Sequence, residues 1–241
     1  MSRLDQEMVR RGMVRSRTEA QHLIASGRVI LTTRPRAKPS TRVEPSDVIT
    51  VASGARFVSR GGEKLAAALD QFQVDTEGVR ALDVGAATGG FTDCLLSRGA
   101  REVVALDVGT GQFDSALAAH AGVTVLEQTD IRELDLDAVG GPFVLVVVDL
   151  SFISMCTVAE DLARVTRLGG DLIALVKPQF EVGRAGIGRG VVRDPDRRRR
   201  AVAKTMVCLG GTGLDTVGEM ASPLLGEHGN QEFFLWAQKR R

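Results

Sequence analysis

Tyrosine is absent from this chain of 241 residues, and one tryptophan and nine phenylalanines are its whole aromatic content. Stacking of nucleobases on an aromatic platform is therefore not the expected binding mode. Cysteine is scarce as well: Cys94, Cys156 and Cys208 sit in apolar segments with no C-x-x-C pairing. That pattern predicts three reduced core thiols in a cytosolic protein. The three histidines, His22, His120 and His228, are scattered, so no zinc spacing appears and no metal is expected. No apolar run approaches a membrane span; the longest, Phe143 to Val148, has the length of a buried strand. The N-terminus, MSRLDQEMVRRG, is charged and has no apolar h-region. No signal peptide is expected there, and the reading is a cytoplasmic protein without a membrane partner.

What is present is an ordinary globular composition, 44% apolar and 25% charged, in a chain long enough for one sizeable α/β domain and a small one. The formal net charge of +1 conceals an asymmetry. Residues 1–53 hold ten Lys/Arg against five Asp/Glu, and the remainder holds 21 against 25. A basic module ahead of a mildly acidic body fits a polyanion-binding arm on a catalytic domain. A solvated basic face would give the same count, and charge alone leaves both readings open.

The basic module, 1–53, reads as small α+β structure. Leu4, Met8 and Val9 have helical spacing up to Gly12; Ser16 and Glu19 form a capping box for a second helix carrying Ala20, Leu23 and Ile24. A β-ribbon is expected next, from Val29 through a turn at Arg34-Pro35 to Arg42-Val43 and Val48–Val51. Arg3, Arg10, Arg11, Arg15, Arg17, Arg28 and, further on, Arg60 are the candidate RNA contacts, since guanidinium groups bind phosphates bidentately. Ser53-Gly54-Ala55 reads as the linker to a second domain over 54–241.

That domain is organised around Arg80 to Asp93, RALDVGAATGGFTD. A short apolar strand enters a glycine-rich turn, and a helix start follows whose unpaired N–H groups face whatever binds there. The spacing is G-x-x-x-G-G rather than the G-x-G-x-x-G of dinucleotide folds. An acidic Asp83 would repel a pyrophosphate and suits a cationic ligand such as the methionine part of S-adenosylmethionine. Asp107 ends the next strand, where a carboxylate can accept two ribose hydroxyls, and Asp130 ends the one after, placed to meet an adenine amino group. A plain turn with capping aspartates is the alternative. The expected cofactor contacts are Asp83, Gly85, Thr88, Gly89, Gly90, Phe91, Asp107 and Asp130.

Strands near 103–107, 123–126, 143–149 and 171–177 alternate with helical stretches, which predicts a doubly wound, Rossmann-like parallel sheet. Ligands bind beyond the carboxyl ends of such strands. Asp149 and Lys177 close two of them and should face the same crevice as the glycine loop, although a structural salt bridge would also explain them. Lys64 is expected in the first turn of a helix after Gly61-Gly62, where the macrodipole disfavours a cation. Gly183 to Gly190 reads as a mobile loop, Arg197–Arg200 as a mostly solvated helix face, and Glu232 as the start of an antiparallel strand at the far side of the sheet.

The N-terminal pattern resembles the small RNA-binding domain named after ribosomal protein S-four. With RFVSRGGEKL, LDVGAATGGFTDCLL, ALDVGTGQ, VVVDLSFIS, LIALVKPQFEVGR, GVVRDP and SPLLGEHGNQEFF, the whole chain resembles the TlyA family: an S-four-like domain plus an FtsJ-type RNA methyltransferase, also known as haemolysins. The resemblance implies a Lys-Asp-Lys-Glu catalytic tetrad on Lys64, Asp149, Lys177 and Glu232, S-adenosylmethionine as cofactor, and ribosomal RNA or ribosomal subunits as partner. Glu63 and Arg198 depart from the family pattern, and neither belongs to the tetrad. The implied reaction is methylation of a ribose 2′-hydroxyl, with Lys177 as base, activated by desolvation and by Lys64 as a second cation, Lys64 also orienting the hydroxyl, Asp149 as tuner and Glu232 as clamp. Asp149-Leu150-Ser151-Phe152 is not the Asn/Asp-Pro-Pro-aromatic motif of amine methyltransferases. A non-catalytic ribosome-assembly factor and a membrane-lytic haemolysin are the rival readings. The oligomeric state is not readable.

Overall fold

The computed structural model describes residues 2–14, 16–25, 29–31, 37–51, 57–182 and 190–240. The chain divides into two units, Met1–Gly61 and Gly62–Arg241. In the first, strand β1 (Ser2–Arg3) leads directly into helix α1 (Leu4–Arg10), and α2 (Arg17–Ala25) follows. Leu4, Met8, Ala20 and Ile24 close a small core with Val29, Leu31, Val43 and Ile49. The N–H of Glu19 donates to Ser16 Oγ at 3.1 Å, the capping contact expected from the Ser-x-x-Glu spacing. The single ribbon expected from the sequence is instead two separate pairs. Strand β2 (Val29–Leu31) runs antiparallel to β4 (Ile49–Val51), whereas β3 (Arg42–Val43) pairs with β1. A two-residue strand carries no periodicity to read, which is why β1 escapes sequence inspection. The expected ribbon turn at Arg34-Pro35 and the linker at 53–55 lie outside the described residues.

The second unit begins within α3 (Arg60–Phe72), followed by β5 (Arg80–Val84), α4 (Gly90–Ser97), β6 (Glu102–Leu106), α5 (Ser115–Ala118) and β7 (Val123–Leu126). It continues with β8 (Phe143–Val148), α6 (Ala159–Val165), β9 (Thr166–Val176), α7 (Pro178–Glu181), α8 (Pro195–Gly211), β10 (Leu214–Ala221) and β11 (Phe233–Lys239). The sheet order is β10-β11-β9-β8-β5-β6-β7, with β5 to β9 parallel. This is the doubly wound α/β sheet expected. Leu82, Val104, Val146, Val148 and Leu172 pack its interior with Leu162 of α6 and Val202 and Leu209 of α8. Chain order reverses on either side of β5, so the ligand crevice opens at the carboxyl edge there.

Register sets out that edge. Val84 pairs with both Leu106 and Val148, so Gly85, Asp107 and Asp149 emerge in one row. Strand β11 is antiparallel to β9, with Phe233 opposite Val176, which brings Glu232 beside Lys177 even though it precedes its strand. The expectation that this strand lies at the far side of the sheet is corrected: it is inserted between β9 and β10. The expected position of Lys64 is corrected too. Helix α3 starts at Arg60, so Lys64 lies past the first turn, on the buried stripe of Leu65, Ala68, Leu69 and Phe72.

Two of the three thiols expected to be reduced are not. Cys156, in the 3₁₀ turn Met155–Thr157, is disulfide-bonded to Cys208 on α8, and Cys94 is buried and takes no part in a disulfide. The partners are 52 residues apart, and only the packing of α8 over that turn brings them together, so no spacing rule finds them. Closing a loop of that length constrains the unfolded chain by about 4 kcal/mol. Thiol titration of the unfolded, unreduced protein is expected to find one free cysteine, and Cys156→Ser to lower the denaturation midpoint; three titratable thiols would refute the bond.

Candidate active site

Gly85 and Gly89 adopt φ of +84° and +89°, conformations that strain any side chain. A Cβ at Gly85 would also stand 2.5 Å from the Asp149 carbonyl oxygen, so the loop passes the end of β8 at a distance only glycine permits. Beyond it lies a cavity of about 500 Å³, lined among others by Gly85, Asp107, Gln112, Asp130, Asp149 and Phe152. That is the size of a nucleotide-class ligand. Of the cofactor contacts expected from the sequence, Gly85, Asp107 and Asp130 line it. Thr88, Gly89, Gly90 and Phe91 do not; they form the turn and the first residues of α4 behind the lining.

The three aspartates of that set differ. Asp107 Oδ2 accepts the N–H of Ala87 at 2.8 Å and Oδ1 that of Gly109 at 2.6 Å, so this carboxylate fixes the glycine loop and the next turn together. Each oxygen keeps a lone pair for a ligand hydroxyl. Asp130 caps the turn at Ile131–Glu133 and is ion-paired with Arg132 at 2.6 Å, which holds its carboxyl below the usual range. Asp83 is where the sequence reading needs correction. It lies within β5, fully buried, and does not line the cavity. Thr92 donates to its Oδ2 at 2.6 Å, and Oδ1 accepts from no group among the described residues.

Burial, reinforced by the Asp149 and Asp107 charges and opposed by the Thr92 hydrogen bond, pushes the Asp83 carboxyl up from 3.8 to about 7. The folded state thus keeps a proton that the unfolded chain releases near pH 4. Its contribution to stability is complete below that pH and is lost as pH rises to about 7. Replacing Asp83 by Asn is expected to flatten this slope in denaturant midpoints measured from pH 4.5 to 8; an unchanged slope would refute the assignment.

Four further side chains gather at the same edge as two ion pairs. Lys64 Nζ meets Glu232 Oε2 at 2.6 Å, both buried. Gly226 makes room for this carboxylate, since a Cβ there would overlap Oε1. Lys177 Nζ contacts Asp149 Oδ1 at 2.5 Å and donates to Ser151 Oγ at 2.8 Å. The Asp149 contact is a charge contact without hydrogen-bond geometry. Each lysine has its own carboxylate, with Glu232 on Lys64 as the expected clamp and Asp149 beside Lys177. Buried charges are tolerated when so paired.

Sequence reasoning missed Gln112, Ser151 and Phe152. Ser151 and Phe152 follow Asp149 directly, and their place after a strand end was the available signal. Phe152 has φ +68° and is 87% exposed, its ring 5.3 Å from that of Phe180. Scarcity of aromatics across the chain therefore does not extend to this rim.

The candidate RNA-binding arginines divide by use. Asp5, fully buried, is held by Arg3 at 3.0 Å and Arg17 at 3.1 Å; Glu7 is held by Arg10 and, at 2.7 Å, by Arg11. Arg11 also donates to the carbonyls of Glu44, Pro45 and Asp47, which makes it a structural brace and corrects its assignment as an RNA contact. Arg3, Arg10 and Arg17 keep more than a third of their side chains exposed. Arg60 is exposed at the start of α3, and Arg15 and Arg28 lie outside the described residues. The Arg3 and Arg10 hydrogen bonds hold Asp5 and Glu7 far below the usual carboxylate range. Their stabilisation is present above about pH 4 and is lost as pH falls, opposite in sign to Asp83 and in a lower window. The expected mobile loop, Gly183 to Gly190, lies outside the described residues except for Gly190. On α8, Arg197 and Arg199 pair with Asp194 and Asp196 and remain exposed.

Residues 57–239 match the FtsJ-like methyltransferase model, and residues 2–49 match the S4 domain. The chain is 47% identical over 238 residues to the 16S/23S rRNA (cytidine-2′-O)-methyltransferase TlyA of Mycobacterium tuberculosis, covering 98% of this chain and 89% of that protein. It is 33% identical over 237 residues to Hemolysin A of Brachyspira hyodysenteriae, with 96% and 97% covered. A solved Streptococcus thermophilus structure, also named for haemolysin, superposes with a TM-score of 0.79 at 34% identity over 99% of this chain and 88% of that one.

Proposed function

Because the chain belongs to the FtsJ-like methyltransferases, in the TlyA group that joins this domain to an S4 domain, we propose that it methylates a ribose 2′-hydroxyl of ribosomal RNA. The observation that carries this reading is the convergence of Lys64, Asp149, Lys177 and Glu232, from α3, β8, β9 and β11, at the edge where the glycine loop opens the cavity.

The cavity residues fit S-adenosylmethionine. Gly85 leaves the backbone open to close approach, Asp107 retains lone pairs for two ribose hydroxyls, and Asp130 can accept from the adenine amino group beside Arg132. Bound there, the cofactor supplies a methyl already activated on a sulfonium, so the protein must align the hydroxyl and receive its proton. Lys177, held by Asp149 and Ser151, is the side chain assigned to receive that proton. Lys64, fixed by Glu232, orients the hydroxyl. Arg3, Arg10, Arg17 and Arg60 supply phosphate contacts that position the RNA.

The reading places the protein with ribosomes in the cytoplasm, and among the described residues no helix is long and apolar enough to cross a membrane. Purified protein, ribosomal subunits and labelled cofactor are expected to yield 2′-O-methylribose, which mass spectrometry of nuclease digests would locate. Normal RNA binding with no such product would leave the assembly-factor reading, and liposome leakage at low protein concentration would revive the lytic one.

A further inference from the structure

Glu181 is a buried carboxylate, 6% exposed, to which the reaction above assigns no part. It ends α7, the single turn that begins with Pro178 directly after Lys177. Its carboxylate reaches across to the loop that leaves β8. Oε2 accepts from Ser154 Oγ at 2.5 Å, and Oε1 accepts from the N–H of Met155 at 2.7 Å. Lys204 of α8 meets the backbone oxygen of Glu181 rather than the carboxylate, so among the described residues both carboxylate oxygens rest on neutral donors. A buried carboxylate is an expensive way to tie two segments if folding alone is at stake.

The tied segments are those of the proposed site. The loop after β8 starts at Asp149, passes Ser151, which holds Lys177, and continues through Phe152 and Ile153, which line the cavity. Lys177 and Glu181 stand at the two ends of one turn, and each grips this loop: Lys177 at Asp149 and Ser151, Glu181 at Ser154 and Met155. Two attachments fix both the separation and the angle of the segments, where one would leave a pivot. We propose that Glu181 is a positioning residue that holds Lys177 in register with Asp149 and keeps the cavity wall in place. The inference rests on the methyltransferase reading of this site.

Glu181→Gln keeps the size and removes the charge and one acceptor. In the full-length protein it is expected to lower kcat on ribosomal subunits about tenfold or more and to weaken S-adenosylhomocysteine binding about fivefold, with KM for RNA within about twofold. Ser154→Ala, which removes one of the two donors, is expected to give a smaller loss in the same two quantities and little further loss when added to Glu181→Gln. A merely structural carboxylate would lower the melting temperature and leave kcat per cofactor-binding site unchanged, and that result overturns the proposal. If Glu181→Gln does not fold, Ser154→Ala decides, and wild-type kcat and affinity in that variant overturn it. If the wild-type protein methylates nothing, the functional reading falls by itself, and calorimetry with S-adenosylhomocysteine still decides whether Glu181 holds the wall.

Discussion

Lys177→Ala is expected to lower 2′-O-methyl transfer about 10³-fold at saturating cofactor and RNA, within the range a positioned base contributes. Cofactor affinity and RNA binding should stay within about threefold, since Lys177 does not line the cavity. The Asp149 carboxylate left behind is partly exposed, so water can replace the lost ammonium and the fold should persist. Lys177→Arg sharpens the test. Arginine preserves the positive charge beside Asp149 and Ser151 but cannot be deprotonated in a protein. A base requires Arg to fail as badly as Ala; a cation that only orients the RNA allows it to retain much of the rate. Single-turnover transfer measured for both variants separates these outcomes, and full activity in Lys177→Ala would remove Lys177 from the chemistry.

How far this site could be read from the sequence depends on where each residue stands relative to its strand. Asp149 and Lys177 follow apolar runs in parallel strands, and the carboxyl edge of such a sheet is the ligand side, so their convergence was visible. Gly85 and Asp107 were visible for the same reason. Glu232 came only from the family resemblance, because it precedes its strand. Only the antiparallel insertion of β11 beside β9 brings a residue at a strand's start to that edge, and neither strand direction nor order is encoded locally. Lys64 was misplaced by one helical turn, since Gly61-Gly62 reads as a break although the helix runs through it. Asp83 looked like a ligand contact because an acid before a glycine turn reads as exposed; β5 is instead buried on both faces, and Asp83 with it. The Cys156–Cys208 bond and the grip of Glu181 on Ser154 join segments 52 and 27 residues apart, and such pairs appear only once the helices pack.

The Lys64–Glu232 pair carries the second large effect, in which stability and activity should come apart. Both groups are nearly inaccessible, and Gly226 closes over the carboxylate. Glu232→Leu strands a buried ammonium, and Lys64→Met strands a buried carboxylate; each is expected to cost about 3–5 kcal/mol of unfolding free energy. Removing both charges in Lys64→Met/Glu232→Leu replaces a desolvated ion pair by apolar groups of similar length, which is often neutral for stability. If the pair served only to satisfy burial, the double variant would recover the fold and the methyl transfer together. The proposed role of Lys64 as the group that orients the ribose hydroxyl requires the other outcome: a denaturation midpoint near wild type, cofactor still bound, and kcat lowered about 10²-fold or more. Denaturant curves and single-turnover transfer on the same four proteins, wild type included, complete the cycle, and restored activity in the double variant would remove Lys64 and Glu232 from the chemistry.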